Sequence, residues 1–201
     1  KSLDIIRDKV QIIKIKPLNV VSDYNKFLIF DLANYLDKDF SLSIHHDGTI
    51  IYQDIWTDDF LNYDYIGAPW SKDIMAHIPM FRIVNREIEK YFPEYAVGNS
   101  GFCLRSKKML SIIGKYEGIL DLLRRINYFE DILICAHPGI RKYLESNGIK
   151  FAPYELAKKF SYEYDVETPS NKWFGAHATK YDGVKIFLDT IDKEKLYKHI
   201  L

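Results

Sequence analysis

The chain has 201 residues, 47% of them hydrophobic, enough for one domain with a buried core. Its 28 basic and 28 acidic side chains cancel, which argues against a polyanion such as nucleic acid as a partner. No apolar run reaches about 18 residues, so no transmembrane segment is expected, and the chain carries no signal-peptide pattern. Lys9 to Ile15 has the β-branched content of a strand, preceded by a short helix and ended at Pro17. Ser22 or Asp23 then caps a helix running to Leu36, with Tyr24, Phe27, Leu28, Leu32 and Tyr35 as its apolar stripe. Asp37 to Asp39 turns the chain into an inner strand over 42–45. This strand, helix, strand alternation predicts an α/β domain with a largely parallel sheet.

His45 and His46 follow, one expected in the core and one outside it, each hydrogen-bonded. Asp47-Gly48 has two readings. It is a hairpin turn between SLSIHH and TIIYQ, because Gly tolerates the backbone of a tight turn. Alternatively it is a carboxylate at the end of a buried strand, where ligands of α/β sheets and divalent cations bind. Next comes Tyr63-Asp64-Tyr65-Ile66-Gly67-Ala68-Pro69-Trp70. Pro69 biases Ala68 towards extended backbone and Gly67 permits a sharp reversal, which together read as a rigid loop walling a pocket.

A short helix is expected over 83–92, stopped by Pro93. In the string Val97-Gly98-Asn99-Ser100-Gly101-Phe102 the glycines mark either a bulge or turn in a sheet, or a functional loop. In the second case Asn99 and Ser100 present polar groups, while Gly98 and Gly101 let a ligand sit close to the backbone. Ser106 caps a helix through Ile113, and a second helix covers Ile119 to Ile126. Glu130-Asp131 opens a short apolar helix, Ile132 to Cys135, that stops near Pro138. Acids at a helix start are accounted for by capping alone. Helix Ile140 to Ser146 ends at Gly148, Lys150 to Pro153 reads as a late strand, and Ala157 to Tyr164 leads into an acidic loop before Trp173 to His177. The tail from Lys185 is helical. Trp56, Trp70 and Trp173 suit a core as well as they suit stacking on a ligand. Cys103 and Cys135, with no disulfide framework around them, read as reduced thiols of a cytoplasmic protein. Lys1 in place of Met allows for a preceding segment.

The run HHDG…W…FLNYDYIGAPW, followed by VGNSGFCLRSKKML, EDILIC, FAPYELAKKFSYE and a late FGAH, resembles the glycosyltransferase-like domain-of-unknown-function family 5672. The family's patterns read QxDG, DYIGAPW, GNGGFSLRS, EDV, AxxFSxE and FGxHG, and the resemblance covers Asp23 to His177. It implies a single GT-A-like (Rossmann-like) domain over 1–201. Such a domain has a central mixed, mostly parallel sheet flanked by helices, here with a short or truncated amino-terminal strand. It also implies an enzyme, a metal-dependent, inverting glycosyltransferase. The donor would be a nucleotide-sugar and the acceptor a glycan, glycolipid or protein-linked hydroxyl.

Such transfer needs the leaving diphosphate neutralised by a divalent ion, a carboxylate to take the acceptor proton, and exclusion of water. By the same resemblance Asp131, and after it Glu130, is the base, and Asp47 and His177 hold Mn²⁺ or Mg²⁺. Asp47, Gly48, Tyr65, Trp70, Gly98, Asn99, Ser100 and Gly101 would contact donor or acceptor. Two departures stand out. His45 replaces the first acid of the usual Asp-x-Asp, leaving Asp47 to act with water or His177, and Ser100 replaces a glycine. Two other readings compete: a non-catalytic sugar- or nucleotide-binding module with a degenerate donor site, and a metal-dependent phosphoester hydrolase. The hydrolase would need more clustered ligands than the chain offers.

Overall fold

The computed structural model describes residues 11–71, 95–125, 129–163 and 173–177. The predicted helices over 83–92 and from Lys185, and the one before Lys9, lie outside the described residues. Residues 11–19 are exposed and carry no regular structure. The expected strand there therefore has β propensity without a neighbouring strand among the described residues, and propensity alone does not make a strand. The first helix, α1, begins at Val21. It is α-helical over Val21–Lys26, takes one π turn over Phe27–Asp31 and tightens to a 3-10 turn over Leu32–Tyr35. Neither Ser22 nor Asp23 is its cap. Both lie within the first turn, where the Asp23 carboxylate accepts a hydrogen bond from the Asn19 N–H at 3.1 Å.

The architecture is α/β, built among the described residues from three small sheets instead of one central parallel sheet. Strand β1 (Phe40–Ile44), β2 (Thr49–Ile50), β3 (Tyr65–Ile66), β4 (Pro69–Ser71), β5 (Tyr95–Val97) and β6 (Phe102–Ser106) precede a helical stretch. Strands β7 (Ser161–Tyr162) and β8 (Gly175–Ala176) follow it. The main sheet runs β1-β6-β3 and is antiparallel throughout, with Leu42 opposite Leu104 and Ile66 opposite Leu104 on the other side. β1, expected as an inner strand, has one partner among the described residues, and the inner position falls to β6. The second sheet is β2-β8-β7, mixed, and the third pairs β4 with β5. The late strand expected at Lys150 to Pro153 reduces to a single bridge between Phe151 and Tyr65.

Strand β6 is buried along its whole length because it is covered on both faces. Phe102 and Leu104 face a cluster with Phe60, Ile66, Phe160 and Phe174. The rings of Phe60, Phe102, Phe160 and Phe174 lie within 5.1–6.3 Å of one another where they meet. Cys103 faces the opposite cluster, made with Tyr65, Met109, Ile113 and Leu133. Both cysteines are free and buried.

Helices α2 (Lys107–Ile113), α3 (Ile119–Arg125), α4 (Glu130–Ala136), α5 (Pro138–Ser146) and α6 (Tyr154–Phe160) complete the layer. Ser106 caps α2 as predicted, accepting from the Met109 N–H at 3.0 Å. The Ser106 hydroxyl also donates to Asp64 Oδ1 at 2.6 Å, and Asp64 Oδ2 accepts from the Lys150 N–H at 2.9 Å. The acid that precedes Tyr65 is thus a three-way joint between β3, the start of α2 and the segment after α5. His137 ends α4 and caps α5, whose Pro138 occupies the first turn; Gly148 follows at φ 72°.

On the same face of β6 as Cys103, Arg105 is fully buried and donates from Nη2 to Glu130 Oε1 at 2.7 Å. Its Nε donates to Cys103 Sγ at 3.1 Å. The pair fixes the start of α4 against the sheet, although Arg105 Nη1 and Glu130 Oε2 have no hydrogen-bond partner among the described residues. Breaking such a pair from one side leaves a buried charge alone. Glu130→Gln should therefore lower stability by about 3–5 kcal/mol in chemical denaturation. The double replacement Arg105→Met with Glu130→Leu should recover most of that loss. A double variant as unstable as the single one would show that the pair matters for more than its own charge balance.

Candidate functional site

A cavity of about 820 Å³ opens where β1, the loop between β5 and β6, α1 and the start of α4 converge. Its polar side carries His45, Asn99, Ser100, Gly101, Asp131, Glu163 and His177; Tyr24 and Trp70 stand beside them, and Leu18, Val20, Val21 and Phe129 form an apolar rim. The chain delivers the cluster through pairing. β1 ends at Ile44, and the His45 N–H donates to the Gly101 carbonyl at 2.8 Å. A tight turn follows, closed by the Gly48 N–H on the His45 carbonyl at 2.9 Å. This is a turn but not a hairpin, since β1 pairs with β6 while β2 pairs with β8 in another sheet. Thr49 lies opposite Ala176 in that antiparallel pair, which brings Asp47 and His177 together across 130 positions.

Asp47 Oδ1 is 3.2 Å from His177 Nε2. His45, Asp47 and His177 each offer one ligand atom, and the three lie within 4.8 Å of one another. His45 takes the place of the missing first acid: the turn closed by the Gly48 N–H on the His45 carbonyl brings Asp47 back beside His45, and His46 between them is exposed. His45 hydrogen-bonds through Nε2 to the Tyr24 hydroxyl. Burial, then the charge of His177, lowers its pKa and favours the neutral ring a metal requires. At His177 burial acts to lower the pKa, but the Glu163 hydrogen bond and the charges of Glu163 and Asp47 outweigh it and raise the value.

Asp131 and Glu130, adjacent in sequence, part company. Glu130 is enclosed in the pair with Arg105 and does not reach the cavity. Asp131 lines the cavity, accepting from the Ser100 N–H at 3.0 Å and the Ile132 N–H at 2.8 Å. Burial raises its pKa to about 7, helped by the negative charges of Glu130 and Glu163 and only partly offset by its backbone donor.

The two glycines of the 98–101 loop make room for rings of the protein itself. A Cβ at Gly98 would lie 2.2 Å from the Trp70 ring, and one at Gly101 would lie 2.0 Å from the His177 ring. The protein's own rings occupy the places where side chains at these two positions would lie. Asn99, between them, takes the left-handed conformation at φ 64°. Its Oδ1 accepts from the Phe102 N–H at 3.0 Å, and its Nδ2 lies 2.8 Å from His177 Nδ1. Gly67 does not reverse the chain; its missing side chain lets the Gly98 carbonyl approach, where a Cβ would meet the oxygen at 1.9 Å.

Of the residues expected to contact ligand, Trp70, Asn99, Ser100, Gly101, Asp131 and His177 line the cavity. Asp47 joins it through His177, and Gly48 lies behind it, against Gly101. Tyr65 is wholly buried and donates from its hydroxyl to the Asn99 carbonyl at 3.0 Å, supporting the loop from below. Of the other tryptophans, Trp56 packs on Phe60 and Phe174 and Trp173 is buried against Tyr162. The sequence reading gave no role to His45 as a third ligand, to Tyr24 or to Glu163. The His-x-Asp spacing was a usable signal for the first, and Glu163 closes the FSYE string that matches the family's AxxFSxE pattern, whereas nothing local marked Tyr24 as a support for His45.

These features define an α/β domain with a histidine–carboxylate cluster at the mouth of a cavity that also holds a buried carboxylate. The chain belongs to the family described as protein of unknown function (DUF5672), whose model matches residues 7–177. No curated protein and no solved structure matches it. Among the described residues no helix is long and apolar enough to cross a membrane.

The raised value of Asp131 has a consequence for stability. The unfolded carboxyl titrates near 3.8 and the folded one near 7, so between these values the native state holds the extra proton and stability falls as pH rises. Thermal melts of Asp131→Asn should show a flatter pH profile than wild type between about pH 4 and 7. Parallel profiles would show that Asp131 is ionised throughout.

Proposed function

We propose that the protein is a metal-dependent, inverting glycosyltransferase that moves a sugar from a nucleotide-sugar to a hydroxyl of a glycan, glycolipid or protein-linked acceptor. The observation that carries this reading is the convergence of His45, Asp47 and His177 to within 4.8 Å beside the buried Asp131. Two imidazoles and one carboxylate fit a divalent cation. The set is softer than the single imidazole and carboxylate expected from sequence, which favours Mn²⁺ over Mg²⁺. Both rings are held from behind, by Tyr24 and by Glu163, as ligating histidines usually are. An ion held there would supply Lewis-acid neutralisation of the leaving diphosphate.

The remaining chemistry belongs to the chain. None of the described residues lining the cavity is Lys or Arg, so a diphosphate finds no permanent side-chain cation there and its binding depends on the ion. Asp131 takes the proton of the acceptor hydroxyl as that oxygen attacks the anomeric carbon and the bond to the diphosphate breaks. A carboxyl poised near 7 is matched to this task, and the Ser100 N–H fixes its direction. Glu130, the second candidate base, serves instead by anchoring α4 through Arg105. Trp70 offers an aromatic wall for a sugar face.

Calorimetry with a panel of nucleoside diphosphates tests the reading. Mn²⁺ should raise the affinity for one of them at least tenfold, and that nucleotide should raise Mn²⁺ affinity by the same factor. Asp47→Asn and His45→Ala should remove the coupling. Asp131→Asn should keep it within a few-fold while abolishing transfer, because a base is needed only in the transition state. Sugar binding with no nucleotide binding under any metal condition would make the domain a non-catalytic sugar-binding module.

A further inference from the structure

We infer that Glu163 is a positioning residue that ties His177, and with it the metal cluster, to the Trp70 indole in the cavity wall; this rests on the metal reading above. Glu163, just after β7, is buried, and its two carboxylate oxygens serve two different rings. Oε1 lies 3.1 Å from His177 Nδ1, and Oε2 accepts from Trp70 Nε1 at 2.7 Å. Each ring is backed by a glycine of one short loop, Trp70 by Gly98 and His177 by Gly101, at separations that leave no room for a side chain. Neither ring can retreat, so the carboxylate and the loop together form a clasp around both.

His177 Nδ1 has two neighbours that make opposite demands. The Asn99 Nδ2 amide, 2.8 Å away, is a donor and needs a lone pair on Nδ1. The amide cannot turn over without loss, because Asn99 Oδ1 already accepts from the Phe102 N–H. The Glu163 carboxylate is an acceptor and needs a hydrogen on Nδ1. In a neutral ring the hydrogen sits on one nitrogen only. Pairing with Asn99 therefore puts it on Nε2, pointing at Asp47. Pairing with Glu163 puts it on Nδ1 and frees the Nε2 lone pair for an ion shared with Asp47 and His45. Glu163 thus selects the tautomer that binds metal, and Trp70, by holding the other oxygen, keeps the carboxylate in place to do so. A ligand that shifts the Trp70 ring acts on metal affinity through this carboxylate.

Mn²⁺ binding alone, followed by the electron paramagnetic resonance signal of the free ion, tests the link without any turnover. Glu163→Gln keeps the shape but only one acceptor, and should weaken Mn²⁺ binding by about 10–100-fold. Trp70→Phe should weaken it by a smaller factor, and the double variant should bind no worse than Glu163→Gln alone, as expected for two residues acting in series. At a pH high enough that His177 is neutral, ring ¹⁵N shifts of the metal-free protein should move from the Nδ1–H form in wild type towards the Nε2–H form in Glu163→Gln, and circular dichroism checks that each variant is folded. Mn²⁺ affinity unaffected by Asp47→Asn would overturn the metal reading and this inference with it. Affinity lost in Asp47→Asn but kept in folded Glu163→Gln, or additive losses in the double variant, would overturn the role of Glu163 alone.

Discussion

The site depends on a four-residue loop that has no side chain at either end. Gly98 and Gly101 leave two hollows, and the Trp70 and His177 rings occupy them. Between the glycines Asn99 bends through the left-handed region and caps the return into β6. Tyr65 props the same turn through its carbonyl, and the His45 backbone hangs from the Gly101 carbonyl. Four separate stretches of chain are thereby registered against one another around this one loop, through rings packed on its glycines and hydrogen bonds to its carbonyls.

The division of labour between Glu130 and Asp131 follows from helix geometry. Neighbours on a helix point about 100° apart, so one acid can face the sheet while the next faces the cavity. The sheet-facing acid meets Arg105, and the resulting buried pair costs desolvation that is recovered only in part, since one atom on each side lacks a partner among the described residues. The arrangement makes sense as positioning: it sets the angle at which α4 presents Asp131, and it adds a negative charge close enough to keep the Asp131 carboxyl near neutral pKa.

Signals contained within one turn of chain were legible in the sequence. Ser106 caps its helix, Gly148 follows α5 with positive φ, and α2, α3 and α5 lie close to where periodicity put them. Sheet organisation was not legible, because strand–helix–strand order is compatible with several pairings and the antiparallel match of β1 with β6 joins segments some sixty residues apart. The Asp47–His177 convergence was anticipated through family resemblance and has no local signature, since it arises from the β2–β8 register. His45 was read by alternation as a core or surface residue, when the turn that follows it brings Asp47 back beside it. Glu163 stood in the FSYE string matched to the family pattern, but its role was not legible there, because it depends on Trp70, 93 positions earlier.

The π turn in α1 has an implication for length variation. Such a turn holds one residue more than an α turn and shifts the helical phase by about 100°. Tyr24, which supports His45, precedes it, whereas Phe30, Leu32 and Leu36, which pack on the core, lie within or beyond it. Loss of a single residue between Phe27 and Asp31 would restore a regular helix and set these two faces out of phase. The helix would then seat either its tyrosine or its apolar residues, but not both. Within this stretch, substitutions should be tolerated far better than insertions or deletions.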